Sequence, residues 1–385
     1  MRIRPTKENV RISGRCTSLD EVLYLGFSGS FIEFEVNADE ICVDFVTDDP
    51  VMREDPGSEW YRPEVSYCDE TYFGQVVVIV DGKKAGRLSL DEPAMCWKIL
   101  LDQAGCERIN GECPGNGEAK PGRVHVVRLV KLNEAAFGLV GIRCIHVPEN
   151  ADIKLCPTTP LGRRIEFIGD SITCGYGNEG KNGVDIYTTA QQNAMDAYAI
   201  RTASKLSAEY QLVSWSGIGI ITNYVGPEVN EPDRTILMPW LYPYTDKRLY
   251  EKKKLEPELW DFSRYIPDVV VLYLGTNDAS YTRGIQEREE FFAGEYAKFL
   301  EMVHEKNPGS AILCTLGTME TSLCAKEDGC VKAFQKAHPE VNIDFLPLPL
   351  QSEEDGIGTD GHPSKITHEK VAQMVSEKLR GMLGW

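Results

Sequence analysis

A serine follows a short apolar run in the segment 167–173, which reads Phe-Ile-Gly-Asp-Ser-Ile-Thr. A serine directly after a strand, flanked by glycine and a short polar residue, can lie on a tight turn with its hydroxyl exposed. Its N–H can then face the same cavity as its Oγ. Ser171 is therefore a candidate nucleophile. Taken alone, the same three residues are equally compatible with an ordinary strand-end turn.

Two further strand ends offer hydrogen-bond donors. In the segment 214–219, Ser-Trp-Ser-Gly-Ile-Gly, Gly217 lets a ligand approach the main chain closely and leaves its N–H unobstructed. In the segment 273–278, Tyr-Leu-Gly-Thr-Asn-Asp, Asn277 can donate its side-chain amide to an oxyanion. Glycine-rich strand ends are common, and an Asn in this position can also cap a helix or a turn.

One of the six histidines is placed differently from the others. His362 lies in the segment 358–364, Gly-Thr-Asp-Gly-His-Pro-Ser, just before the last predicted helix and two residues after Asp360. The other five are interpreted as solvated or packed side chains: His125 and His146 in the first half of the chain, and His304, His338 and His368 on or beside helices. His362 is the candidate general base.

Together and in this order, the four segments resemble those of the SGNH-hydrolase superfamily. Its blocks carry a Ser in Gly-Asp-Ser, a Gly, an Asn in Gly-x-Asn-Asp and a His near an Asp. The resemblance covers roughly residues 163–383, about the size of one domain. It implies that Ser171 is the nucleophile and that His362 is the general base and acid. It also implies that Gly217 and Asn277 join the Ser171 N–H in an oxyanion hole.

The last block departs from the superfamily pattern. The common pattern places the acid three residues before the histidine, but Thr359 occupies that position here and Asp360 lies only two residues before. His362 is therefore oriented either by Asp360 or by a backbone carbonyl near Thr359. This arrangement is similar to carbohydrate esterase family two, whose members carry an Asp-x-His-Pro block after an N-terminal jelly roll. That family often has an aromatic residue where this chain has Gly361.

Aromatic residues concentrate in the segment 222–262, between the second and third blocks. They lie among several prolines and are Tyr224, Trp240, Tyr242, Tyr244 and Trp260. Aromatic faces bind sugar rings by apolar contact, and prolines reduce the cost of ordering a loop. We predict that Tyr224 and Trp240 bind substrate. The alternative is that these aromatics only pin their own loop.

The elements that must position these residues differ between the two halves of the chain. The first half alternates like an antiparallel β domain, with apolar runs at 31–36, 41–46, 76–80, 85–90, 124–132 and 139–147. Asp81-Gly82 is a strong hairpin signal, and residues 105–122 read as a surface loop. After about residue 158, strands at 165–168, 211–215, 269–274 and 311–315 alternate with amphipathic helices.

These patterns predict an all-β jelly-roll sandwich over residues 1–155 and a flavodoxin-like α/β domain, a parallel sheet flanked by helices, over residues 156–385. Strand–helix alternation places the functional site at the carboxyl ends of the strands. The apolar residues of the two strongest helical stripes are Phe292, Tyr296, Phe299 and Val303, then Val371, Val375, Leu379 and Met382. Packing on the sheet explains both stripes.

Composition limits the classes of partner. A net charge of −18 disfavours nucleic acid and anionic membranes, because little basic surface remains to displace phosphate counterions. No apolar run approaches the ~18 residues that span a bilayer. The chain begins without an apolar leader, so we expect a cytoplasmic protein whose twelve cysteines are reduced thiols. The sequence does not indicate an oligomeric state.

The expected activity is that of a serine esterase. It removes O-acetyl groups from acetylated hemicellulose-derived oligosaccharides of the xylan or mannan type through an acyl-enzyme. No cofactor is expected, and no histidine and carboxylate spacing indicates a metal site. Two alternatives remain: an SGNH esterase directed at lipids or other small esters, and a carbohydrate-binding protein with a degenerate hydrolase half.

Overall fold

The computed structural model describes residues 1–47, 51–52, 71–111, 113, 122–150 and 152–385. The polypeptide divides into two compact units, one of Met1–Pro160 with Thr188–Ala190 and one of Leu161–Tyr187 with Gln191–Trp385. No sequence signal indicated that three residues from the middle of the chain belong with the first unit. None of the described helices is both long enough and apolar enough to cross a bilayer.

The first unit consists of strands. They are β1 (Arg2–Ile3), β2 (Arg11–Ser13), β3 (Cys16–Leu19), β4 (Val22–Leu25), β5 (Phe31–Val36), β6 (Glu40–Val46), β7 (Val51–Met52), β8 (Thr71–Tyr72), β9 (Gly74–Val80), β10 (Lys83–Leu90), β11 (Ala94–Leu100), β12 (Gly105–Ile109), β13 (His125–Lys131), β14 (Val140–His146) and β15 (Leu155–Pro157).

Two antiparallel sheets contain most of these strands. One has the order β12-β11-β6-β14-β4-β3, with β1 beside β14, and the other has the order β10-β9-β13-β5-β15, with β2 beside β5. Alternate residues of both sheets share one apolar core, for example Ile32 and Phe34 of β5 with Val43 and Phe45 of β6. This arrangement follows from the alternation of side chains across a strand.

The hairpin between β9 and β10 forms where the sequence predicted it. Asp81 and Gly82 have φ angles of 50° and 77°, as a type I′ turn requires at both central positions. The predicted loop at residues 105–122 is wrong at its start, because Gly105–Ile109 forms β12 and pairs with β11. Residues 112 and 114–121 of that prediction lie outside the described residues. The strand forms because its main chain hydrogen-bonds to β11, and this pairing cannot be predicted from the short polar segment alone.

The expectation that the cysteines are reduced thiols is wrong for one pair. Cys96 and Cys113 form a disulfide, with their Cα atoms 5.4 Å apart. Cys96 lies on β11 beside β12, and the chain after β12 brings Cys113 back to it. Spacing in the sequence did not indicate the pair, because the approach depends on the β11–β12 hairpin.

The second unit alternates strands and helices. The strands are β16 (Arg163–Gly169), β17 (Ala208–Ser214), β18 (Val269–Tyr273), β19 (Ala311–Thr318) and β20 (Ile343–Leu350). The helices are α1 (Ser171–Cys174), α2 (Tyr198–Lys205), α3 (Met238–Leu241), α4 (Lys247–Lys252), α5 (Thr276–Thr282), α6 (Gln286–Lys306), α7 (Cys324–Ala337) and α8 (Lys365–Leu383). Short 3-10 turns lie at Thr189–Gln191, Ala194–Asp196, Phe262–Arg264, Glu353–Asp355 and Thr359–Gly361.

The parallel sheet of this unit has the order β17-β16-β18-β19-β20. This is the 2-1-3-4-5 order of flavodoxin-like folds, in which ligands bind outside the carboxyl ends of the strands. The predicted fold class is confirmed: antiparallel β sheets come first and a parallel α/β sheet follows. The apolar stripes of α6 and α8 are buried, as expected of helices that cover a sheet, except that Met382 at the end of α8 is half-buried. The sequence analysis missed β20, an edge strand containing Pro347 and Pro349.

Candidate active site

Ser171 begins helix α1 immediately after the carboxyl end of β16. The carboxylate of Asp170 caps this helix by accepting a hydrogen bond from the Ile172 N–H at 2.9 Å. Ser171 therefore occupies the first helical position, where a main-chain N–H has no partner within the helix. The residue is 6% exposed. The Gly-Asp-Ser segment thus forms a strand-to-helix turn that presents one hydroxyl and one N–H together.

His362 lies against this serine, although 191 residues separate them in sequence. Its Nε2 is 2.8 Å from Ser171 Oγ, and its Nδ1 is 3.2 Å from the carbonyl oxygen of Thr359. A carbonyl can only accept, so the hydrogen bond at Nδ1 places the ring proton there. Nε2 then carries the lone pair that faces the serine hydroxyl. This is the hydrogen-bond geometry of a serine nucleophile and its base.

The two loops that carry Ser171 and His362 are joined directly through their main chains. The Thr359 N–H donates to the Gly177 carbonyl at 3.0 Å and joins the two loops, while the Gly358 N–H donates to the His362 carbonyl at 2.7 Å within the His362 loop. A Cβ atom on Gly358 would lie 2.5 Å from the Gly177 carbonyl oxygen. Glycine at 358 is therefore required for the close approach that places His362 against the serine.

Asp360 does not face the imidazole Nδ1 in this structure. The residue adopts a left-handed conformation, with φ at 54°, and its Oδ2 accepts a hydrogen bond from the Tyr176 hydroxyl at 2.9 Å. Of the two partners that the sequence left open for His362, the main-chain carbonyl of Thr359 is the one in contact. The two-residue offset thus turns the carboxylate toward a different partner.

Tyr176 is a site residue that sequence reasoning missed. Its ring lies 4.4 Å from the His362 ring, centroid to centroid, and stacks on Tyr187 at 3.6 Å with an interplanar angle of 8°. Its hydroxyl holds Asp360 at the same time. Tyr176 therefore supports the His362 loop by ring contact and by a hydrogen bond. Asp360 and His362 are far from Tyr176 in sequence, so no local pattern predicted this role.

Burial determines the charge states of the site. Loss of hydration lowers the pKa of His362 to about 4, although the nearby Asp360 carboxylate and the carbonyl of Thr359 both act to raise it. The imidazole is therefore neutral at pH 7 and able to accept a proton. Burial also raises the pKa of Asp170 to about 7, against the hydrogen bond from Ile172.

Two of the three predicted oxyanion donors are main-chain N–H groups. Gly217 has φ at +78°, a conformation that favours glycine, and a Cβ atom there would meet nothing within 4 Å. Within the described part of the chain, neither the Ser171 N–H nor the Gly217 N–H has an acceptor. Such unpaired N–H groups are the donors that an oxyanion hole requires.

The side-chain amide of Asn277, unlike the N–H groups of Ser171 and Gly217, already has hydrogen-bond acceptors among the described residues. Its Nδ2 donates to the Ile218 carbonyl at 2.8 Å and approaches Asp170 Oδ2 at 3.4 Å. It therefore links the loop of Gly217 with the turn of Ser171. Donation to an oxyanion would replace the longer of these two contacts.

Asp278 was also missed, and it organises the loop after Gly217. Its buried carboxylate accepts main-chain hydrogen bonds from Ile220 at 2.9 Å, Ile221 at 2.7 Å and Thr222 at 3.4 Å. Burial nonetheless raises the pKa of Asp278 to about 6. The Asn-Asp pair that closes the third block therefore has two tasks: Asn277 faces the serine turn, and Asp278 holds the neighbouring loop.

The aromatic residues of the segment 222–262 separate into two groups. Tyr242 and Trp260 are buried, so they pin the segment as the alternative interpretation expected. Tyr224 is 62% exposed and Trp240 is 47% exposed. The Tyr224 N–H donates to the Gly217 carbonyl at 2.8 Å, and α3, which carries Trp240, begins where the Met238 N–H donates to Gly219. Both exposed rings are thus attached through the main chain to the loop of Gly217.

Two groups of described residues could hold a metal ion, and neither includes Ser171 or His362. One is Asp44, Cys144 and His146 in the first unit, and the other is His304, His338 and Glu340 in the second. The chemistry available beside Ser171 is therefore that of a hydroxyl, an imidazole and main-chain donors.

Comparison with known proteins gives a consistent picture. The GDSL-like Lipase/Acylhydrolase family matches residues 167–370. The chain is 35% identical over 266 residues to the cellulase/esterase CelE of Acetivibrio thermocellus, which covers 68% of this chain and 30% of that protein. This chain thus spans less than a third of that relative. It is 28% identical over 356 residues to an acetylxylan esterase / glucomannan deacetylase of Cellvibrio japonicus, covering 87% and 90%.

The likeness extends to solved structures. A family two carbohydrate esterase from Clostridium thermocellum, in complex with cellohexaose, superposes with a TM-score of 0.74 at 27% identity, covering 98% of this chain and 99% of that one. The similarity therefore includes the β sheets of the first unit as well as the α/β unit.

Proposed function

The chain belongs to the GDSL-like lipase/acylhydrolase family, and from this premise we propose that it is a serine esterase that removes O-acetyl groups from acetylated oligosaccharides. The observation that carries the proposal is the 2.8 Å contact between Ser171 Oγ and His362 Nε2. The similarity to acetylxylan esterases and to a carbohydrate esterase with a bound oligosaccharide supports the class of substrate. Xylan-type and mannan-type oligosaccharides are the proposed substrates.

In the first half of the reaction, Ser171 Oγ attacks the carbonyl carbon of the acetyl ester while His362 Nε2 takes the hydroxyl proton. The Ser171 and Gly217 N–H groups, with the Asn277 amide, bind the oxyanion that forms. The bond from carbon to the sugar oxygen then breaks, and His362 returns its proton to that oxygen. The products are a free sugar hydroxyl and an acetyl-serine.

In the second half, His362 removes a proton from water, and the hydroxide attacks the acetyl carbon. The same donors hold the second oxyanion, acetic acid leaves, and the proton returns to Ser171. The neutral state of His362 at pH 7 suits both steps, because each begins with the imidazole as a base. The Thr359 carbonyl keeps Nδ1 protonated and stabilises the imidazolium that forms transiently.

Sugar binding is assigned to the exposed aromatics Tyr224 and Trp240. Their attachment to the loop of Gly217 places them on the same segment as an oxyanion donor. Tyr224→Ala should raise KM for acetylated oligosaccharides and leave hydrolysis of p-nitrophenyl acetate nearly unchanged, because the small ester does not reach a sugar subsite. An equal effect on both substrates would argue against a sugar-binding role.

The decisive experiment compares the wild type with Ser171→Ala and Asn277→Ala on p-nitrophenyl acetate and on acetylated xylo- and manno-oligosaccharides. Ser171→Ala should abolish the acetyl-enzyme detected by mass spectrometry. Asn277→Ala should lower kcat by about 10²–10³ if its amide binds the oxyanion. Turnover of long-chain esters faster than acetyl esters would favour a lipid-directed esterase, and near-full activity of Ser171→Ala would overturn the proposal.

A further inference from the structure

A second cluster of side chains that could bind a metal ion lies at the amino ends of the strands of the parallel sheet. His304 lies in the last turn of α6, His338 ends α7, and Glu340 follows in the turn before β20. These helix ends lead into the amino ends of β19 and β20, whereas Ser171 follows the carboxyl end of β16. The cluster is therefore separate from the candidate active site.

The three side chains offer one ligand atom each within 4.8 Å of one another. The His338 Nδ1 is 3.8 Å from a Glu340 carboxylate oxygen, and the His304 and His338 ring centroids are 5.1 Å apart. The Nδ1 of His304 is buried and has no hydrogen-bond partner among the described residues. A buried ring nitrogen normally has a hydrogen-bond partner, so the unpaired Nδ1 of His304 requires an explanation.

A carboxylate lies beside one ring nitrogen of His338. Its Nε2 is 3.1 Å from Glu301 Oε1 on α6. A hydrogen bond from Nε2 to this carboxylate would leave Nδ1, which lies 3.8 Å from Glu340, available to a metal ion. Metal-bound histidines are commonly held in this way, with the second ring nitrogen hydrogen-bonded to a carboxylate that fixes the tautomer.

Packing also holds both rings in place. Phe334 stacks on His338 at 4.4 Å and meets His304 edge to face at 5.6 Å. The Val341 N–H donates to the His338 carbonyl at 3.1 Å and closes the turn that carries Glu340. Packing therefore preorganises the two imidazoles, and Glu340 reaches them from the exposed turn that follows α7.

The charge around the cluster favours a cation. Glu301 and Glu340 flank the two rings, and among the described residues no Lys or Arg forms an ion pair with either carboxylate. The other candidate cluster is different: Arg2 Nε donates to Cys144 Sγ at 3.1 Å, and Arg143 lies 3.3 Å from Asp44. Two guanidinium groups in that position oppose a second cation.

We propose that His304, His338 and Glu340 form a binding site for a divalent transition-metal ion, zinc in the first place. Two imidazoles and one carboxylate form a ligand set that zinc accepts, with water completing four-coordination at the exposed side. A bound ion would join the ends of α6 and α7 to the turn that precedes β20. Its role is to stabilise this edge of the sheet. Sequence spacing did not indicate the site, because its ligands come from two different helix ends.

Isothermal titration of the full chain with zinc chloride, after removal of metals with a chelator, tests the proposal. The wild type should bind zinc saturably, with one ion per chain at this site. Its thermal unfolding midpoint should rise with the zinc concentration. His304→Gln and His338→Gln should each weaken binding at least tenfold, which is about the effect expected when one ligand is lost. Glu301→Gln should weaken binding by about 10–100-fold, because it releases the orientation of His338.

The matched control is His146→Gln in the other cluster, which should bind zinc like the wild type. Cobalt(II) adds a second readout, because a cobalt–thiolate charge-transfer band would show a cysteine ligand, which none of the three proposed residues supplies. Circular dichroism of every variant without metal verifies folding. No saturable binding by the wild type, or equal binding by His338→Gln, would overturn the proposal. Since the titration needs no turnover, its outcome is independent of the proposed esterase activity.

Discussion

At the scale of single residues, the imidazole of His362 is oriented by a main-chain carbonyl, while a carboxylate two positions away is engaged by Tyr176. A carbonyl fixes the ring tautomer as a carboxylate does, but it brings no full negative charge to the Nδ1 side. Asp360 therefore acts through the field it exerts and through its hold on Tyr176, without a direct bond to Nδ1.

This arrangement predicts a mild phenotype for Asp360→Asn. The asparagine can still accept the Tyr176 hydrogen bond, and Thr359 still orients His362, so kcat should fall by less than about tenfold. A carboxylate bonded to Nδ1 would instead give a loss of about 10⁴. Steady-state kinetics on p-nitrophenyl acetate measure the difference. Tyr176→Phe is the companion variant, since it keeps the ring contact and removes only the hydroxyl.

The low pKa of His362 predicts the acid limb of activity. Only the neutral imidazole can take the serine proton, so kcat/KM should fall as pH drops through about 4, well below the ordinary histidine range. The Asp360 charge raises this pKa, so Asp360→Asn should move the limb to lower pH. A pH–rate profile of both proteins checks it. If kcat/KM fell with an apparent pKa near 6.5 in both the wild type and Asp360→Asn, the result would contradict the burial of the imidazole.

At the scale of elements, three strand ends and one helix start are held together by hydrogen bonds in which main-chain groups take part. Asp278 at the start of α5 accepts from the loop after β17, and Thr359 before α8 donates to the loop after α1. The main chain at Ile220–Thr222, just after Gly217, is therefore held by a residue that follows a different strand. The geometry of the site depends on these cross-links as much as on the sheet.

Asp278→Ala should lower the free energy of unfolding by about 2–4 kcal/mol. Each buried N–H left without an acceptor costs about 1–3 kcal/mol, and relief from burying a carboxylate offsets part of this. Asp278→Asn keeps one acceptor oxygen and should lose less. Asp185→Ala is the matched control, because that exposed carboxylate accepts one main-chain bond, from Lys181. Urea denaturation measures all three, and equal losses for Asp278→Ala and Asp185→Ala would contradict the role.

At the scale of the whole molecule, the two units are built on different hydrogen-bonding patterns. The first consists of antiparallel sheets around one apolar core and includes the Cys96–Cys113 disulfide. The second is a parallel sheet covered by helices, with the candidate site at the carboxyl ends of its strands. The disulfide contradicts the expectation of twelve reduced thiols, and the cytoplasmic location stays a prediction.

The disulfide should contribute measurably to the stability of the first unit. It closes a loop of 17 residues, a length for which a cross-link is worth about 3 kcal/mol, or roughly 6–12 °C in the unfolding midpoint. Cys96→Ser should therefore unfold at a lower temperature than the wild type, and a reductant should remove the difference. Cys156→Ser is the control, because Cys156 is exposed and outside the disulfide. Differential scanning calorimetry checks it; identical midpoints would contradict the bond.

The sequence by itself determined the fold class, and it singled out Ser171, Gly217, Asn277 and His362 as site residues whose catalytic roles stay predictions. Periodicity and turn chemistry depend on residues a few positions apart, so they can be read along the chain. Only the tertiary structure decided that Thr359 orients His362, that Tyr176 and Asp278 support the site, and that Cys96 meets Cys113. Each of these pairings depends on how one loop is rotated against another. Such rotations are set by packing and main-chain hydrogen bonds between distant segments, which leave no periodic trace in the sequence.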